Sequence, residues 1–144
     1  MRVDFYQLSR DGVEQVVPLL ARKVLESGSR LAVVHGDADA RSALSEALWN
    51  AEGTFLANGE AGAAHAEHQP VLLCADGSRA NDASMAIVAD GEWRDMAGYD
   101  RVMLLFGQEQ TDAARALWKE IGGTDGCDLH IFKQGPDGNW REGR

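Results

Sequence analysis

Residues 101–106 read RVMLLF, and residues 127–133 read CDLHIFK. Between them, Glu109 to Ile121 sets Ala113, Ala114, Leu117 and Ile121 on one helical face. The first stretch is five apolar residues in succession after a single arginine. It has no polar side to offer water, which predicts a strand covered on both faces, central in a parallel sheet. Strand, amphipathic helix and strand together make the crossover unit of such a sheet.

The alternation continues toward the N-terminus. Residues 3–8 (VDFYQL), 30–35 (RLAVVH), 71–74 (VLLC) and 84–89 (SMAIVA) read as strands. Val13, Val16, Val17, Leu20 and Val24 predict a helix over 13–26, stopped near Gly28. Pro18 either lies in its first turn, with the helix starting near Val16, or kinks it. A second helix, capped by Asp37 or Asp39, runs to about Trp49 with Ala40, Leu44, Ala47 and Leu48 facing the core. Residues 52–69, rich in Gly and Ala, read as one long loop, and Gly135-Pro136-Asp137-Gly138 as a turn into Trp140. The order β-α-β-α-β-β-β-α-β, without repeat or linker, predicts a single α/β domain over residues 1–144 with a mostly parallel sheet.

Composition narrows the function. At 144 residues and 44% hydrophobic, the chain can build a core without disulfides or metals. Cys74 and Cys127 form no CxxC and are expected to be buried free thiols. A formal net charge of -9 argues against extensive direct nucleic-acid binding, which relies on Lys and Arg at phosphates. It leaves room for a small basic patch that attracts an acidic peptide. The N-terminus carries no apolar signal core and no window approaches a membrane span, so a soluble, cytoplasmic protein without membrane association is expected.

The usual chemical signatures do not occur. There is no GxxxxGK[ST], no GxGxxG after the first strand and no GxSxG elbow. No cofactor is expected. His65 and His68 lie in an Ala/Gly loop, which reads as solvated and not as a metal site. His35 ends a strand ahead of Asp37 and Asp39; a catalytic His–Asp pair is conceivable, but an N-cap and a strand-end histidine account for the same residues.

Two surface signals remain. Trp49 lies opposite the Leu44/Leu48 stripe, so its indole is expected to be exposed, an aromatic of the type enriched in binding hot spots. Arg115 and Lys119 are neighbours one turn apart on the last helix, with Trp118 at the border of its buried side. The chain has three lysines in all, which makes this pairing stand out.

Taken in order and spacing, VDFYQL (3–8), GSRLAVVH (28–35), LSEALWN (44–50), TFLANG (54–59) and PVLL (70–73) resemble the chi subunit of bacterial DNA polymerase III. The likeness is sharpest over residues 3–73; beyond them it rests on architecture and on ARALWKE (114–120). The resemblance implies a Rossmann-like three-layer sandwich with no active site. It implies an accessory subunit of the clamp-loader assembly that binds the acidic, Phe-ended C-terminal tail of single-stranded-DNA-binding protein. It also implies a psi subunit or an equivalent bridge to the clamp loader, and a repair helicase as a further partner. The family's tail-binding positions match Trp49, Arg115 and Lys119, with Phe55 an aromatic of the same region. Thr111 stands where the family has another basic residue, and Ala57 and Asn58 where it has Pro and His.

Three readings can be told apart by geometry. A peptide-binding adaptor predicts an exposed Trp49 close to Arg115 and Lys119. A small enzyme predicts a closed pocket converging on His35 or Cys74. A structural module predicts only a broad apolar patch.

Overall fold

Val102 to Phe106 are all buried, and the strand they form lies inside a sheet, between two parallel neighbours. The computed structural model describes residues 1–51, 56–64, 66–77, 81–123 and 126–143. In chain order the elements are β1 (Arg2–Gln7), α1 (Val13–Glu26), β2 (Leu31–Val34), α2 (Ala38–Trp49), β3 (Asn58–Glu60), β4 (Val71–Cys74), β5 (Met85–Val88), β6 (Arg101–Phe106), α3 (Thr111–Gly122), β7 (Asp128–Gln134) and β8 (Trp140–Glu142). The sheet order is β3-β4-β2-β5-β6-β1-β7-β8. Every pairing is parallel except β7–β8. This is the single-domain α/β sandwich around a mostly parallel sheet that the apolar strands predict.

The pleat divides the core in two. Tyr6, Leu8, Val33 and Leu73 pack with Val16, Val17 and Leu20 of α1 and Leu44 and Leu48 of α2. Phe5, Val34, Leu72 and Leu104 point the other way and pack with Ala114, Leu117 and Trp118 of α3. The helices α1 and α2 thus cover one face, and α3 covers the other. Asp4, wholly buried, accepts from Arg2 Nε (2.8 Å) and Arg101 Nε (2.6 Å), which joins the starts of β1 and β6.

Helix boundaries follow local chemistry. α1 starts at Val13 and runs through Pro18, so the proline is not in a first turn beginning near Val16. Ser27 caps its end, and Gly28 takes the left-handed conformation (φ 84°) that follows many helices. Asp37, not Asp39, caps α2 by accepting from Ala40 N at 3.2 Å.

Four local expectations need correction. The 52–69 stretch is not one loop: residues 58–60 form the edge strand β3 and Ala66–His68 a 3-10 turn. Asn-Gly-Glu carries no strand pattern; Asn58 is held by Ser45 Oγ at 2.5 Å and donates to the Leu56 carbonyl, so tertiary contacts make the strand. The chain also adds β8 after the 135–138 turn. Cys127 is only half-buried because it precedes β7 instead of lying within it. Ala113 is exposed, and Ala114 and Ile121 are the buried residues of α3.

Candidate functional site

Adjacent strands β1 and β6 send their connections to opposite faces, β1 through α1 and β6 through α3. Where crossovers diverge in this way, a crevice opens at the carboxyl ends of the strands. Here it is a cleft of about 380 Å³ on the α3 side. Gln7, Phe106 and Lys133, from the ends of β1, β6 and β7, form its strand wall. Thr111, Arg115 and Lys119 form its helix wall, and Phe5, Ala114, Trp118 and Ile131 its floor.

The helix wall is fixed at its start. Gln110 accepts from Gly107 N and donates to the Asp90 carbonyl at 2.8 Å. Burial pushes the Asp90 carboxyl up, but the Arg94 guanidinium and the backbone N–H groups of Gly36 and Glu92 outweigh it and hold it below the usual carboxylate range. A charged Asp90 therefore braces the loop that receives Gln110. Thr111 donates its hydroxyl to the Gln108 carbonyl at 2.7 Å.

The floor is aromatic. Phe5 meets Trp118 edge to face at 5.1 Å and Phe106 at 6.4 Å between ring centroids. The open mouth is basic. Most described arginines have a carboxylate partner: Arg2 and Arg101 share Asp4, Arg10 has Asp11, Arg22 Glu26, Arg41 Glu60, Arg94 Asp90 and Arg141 Asp137. Among the described residues, Lys23, Arg30, Arg115, Lys119 and Lys133 remain without a carboxylate partner. The last three all line this cleft, and no described Asp or Glu lines it. In an acidic chain, three of the five described Lys and Arg side chains without a carboxylate partner are gathered over one apolar floor.

The structure brings Arg115, Lys119 and Trp118 together as expected, and it does not bring Trp49 to them. Trp49 is 45% exposed, as its helical position predicts. It ends α2, on the α1 side of the sheet, and the sheet stands between it and α3. Periodicity gives the exposed side of a helix but not the face of the sheet on which a crossover lies, so one expected patch becomes two places. Phe55 lies outside the described residues. Lys133, Phe5 and Gln7 were not anticipated. The signal for Lys133 is the i, i+2, i+4 alternation of Leu129, Ile131 and Lys133 toward α3.

The other candidates are placed as well. His35 is half-buried, and its Nδ1 accepts from Asp37 N at 3.1 Å. Cys74 is buried. Neither lines this cleft or the second one, between α1 and Trp140. His68 is exposed beside Glu67, and His65 lies outside the described residues. Among the described residues no group of three or more His, Cys, Asp and Glu could hold a metal ion. No described helix is long and apolar enough to cross a membrane.

The family described as DNA polymerase III chi subunit, HolC, matches residues 1–129 of the chain. No curated protein matches it. Among solved structures, the C-terminal domain of the SWI2/SNF2 ATPase of Sulfolobus solfataricus is similar over 74% of this chain, at 13% identity and a TM-score of 0.49. The similarity spans 56% of that chain's length.

Proposed function

The chain belongs to the DNA polymerase III chi subunit family, and on that premise we propose that it is a non-catalytic adaptor whose α3 cleft binds the acidic, Phe-ended tail of single-stranded-DNA-binding protein. The observation that carries this reading is the pairing of an aromatic floor with Arg115, Lys119 and Lys133, three cations without a carboxylate partner among the described residues. A terminal Phe ring would lie against Phe5, Phe106 and Trp118. Arg115 can take the terminal carboxylate bidentately, while Lys119 acts as a point charge on the preceding acids. Binding by one ring and a few exposed charges is weak, salt-sensitive and readily reversed. A second partner, psi or an equivalent bridge, would connect the subunit to the clamp loader from outside this cleft.

The test is a calorimetric titration with an acidic peptide ending in Asp-Ile-Pro-Phe, beside the same peptide amidated at its C-terminus. Saturable binding of the free acid, weakened by amidation, supports the reading. Equal binding of both removes the carboxylate contact, and no binding of either removes the site.

A further inference from the structure

We infer that Lys133, on the strand wall, supplies the positive charge at the end of the cleft where the helix has none, so that an acidic peptide is held along its length by both walls. This rests on the reading of the cleft as an acidic-peptide site. β6, α3 and β7 form one crossover, so α3 runs back against the strands and its start lies at their carboxyl ends. Gly122, at the end of α3, approaches Leu129 near the start of β7, in keeping with that direction. Lys133, near the end of β7, therefore shares an end of the cleft with Thr111.

On the helix wall that end carries no cation. Thr111 is neutral, and its hydroxyl is occupied by the Gln108 carbonyl. Arg115 and Lys119 follow one and two turns further along. Lys133 is exposed, and with Leu129 and Ile131 it belongs to the strand side facing α3. Among the described residues it has no carboxylate partner. The positive charges thus form a track along the cleft, with Lys119 and Arg115 on one wall and Lys133 on the other. A chain of acids leading to an apolar anchor fits such a track better than a single isolated anion does.

The experiment compares the parent, Lys133→Met, Lys23→Met as a remote control and the double variant Thr111→Lys/Lys133→Met, each titrated with the Asp-Ile-Pro-Phe peptide at two ionic strengths. Lys133→Met is expected to weaken binding about threefold at low salt, the size of one exposed charge, with the gap closing at high salt. Thr111→Lys should restore it by returning charge to the same end from the other wall. Parent binding that Arg115→Ala weakens, with Lys133→Met unchanged at low salt, overturns this inference and leaves the cleft reading standing. Failure of the parent itself to bind overturns the cleft reading. Lys133→Gln is a second route to the same comparison should the methionine variant misfold, and restoration by Thr111→Lys separates a charge effect from a structural one.

Discussion

Phe5 of β1 and Trp118 of α3 meet edge to face, their planes 61° apart, and this contact both holds the helix to the sheet and closes the bottom of the cleft. Trp118→Ala should therefore lower stability by about 2 kcal/mol, below the full cost for a completely buried ring because the indole is only half-buried. It should also cost at least about tenfold in peptide affinity. Trp118→Phe should keep most of both. Chemical denaturation and peptide titration of the two variants check this; full affinity in Trp118→Ala would show that the peptide does not use the floor.

Arg115 and Lys119 act on the peptide through charge in an open mouth. Arg115→Ala should weaken binding about tenfold at low ionic strength and less at high, with Lys119→Ala smaller in both. Because exposed charges steer encounter, the loss should fall partly on the association rate, read by stopped flow. Parent-like binding in both variants at low salt would remove the basic wall from the site.

Trp49 lies across the sheet from the cleft. Trp49→Ser should leave peptide affinity unchanged. The same titration decides. A clear loss of affinity would mean that the tail spans both faces and not one cleft.

His130 links β7 to β8. Hydrogen bonds to Glu142 (2.7 Å) and Asp128 (3.0 Å) raise its pKa above the ordinary 6.5, against the smaller opposing effects of desolvation and of Arg2. The charged imidazolium is thus favoured in the folded state. Its stabilisation is complete below about pH 6.5 and is lost as pH rises through the raised value. The hairpin should exchange its amides faster, relative to the rest of the sheet, at pH 9 than at pH 6. His130→Gln should flatten that difference; an unchanged difference would assign it to other groups.

Much of this structure is written locally. Residues 101–106 mark β6 because five consecutive apolar residues admit few other environments, and the spacing from Val16 to Val24 marks α1 in spite of Pro18. β3 is not legible, since Asn58-Gly59-Glu60 becomes a strand only through its neighbours Ser45 and β4. The helix wall of the cleft could be read from the one-turn spacing of Arg115 and Lys119. The strand wall could not, because parallel strands far apart in sequence must first be ordered before Lys133 is seen beside Thr111. The separation of Trp49 from the cleft has the same origin: a face of the sheet is a property of the crossover and not of the helix.

The place of β1 bears on how the molecule assembles. Arg2 pairs with Arg101 on one side and Asp128 on the other, so β1 has no sheet neighbour until β6 and then β7 have been made. Until then Val3 and Phe5 have no strand beside them, and α1 must wait with an apolar face that β1 will later help to cover. Such distant pairing slows folding and prolongs exposure of sticky surface. β2, β4 and β5 pair within a shorter span, which favours an early block of three strands under α1 and α2. The crevice between β1, β6 and β7 would then form only once β7 has been made, and a nascent chain would bind nothing there before that point.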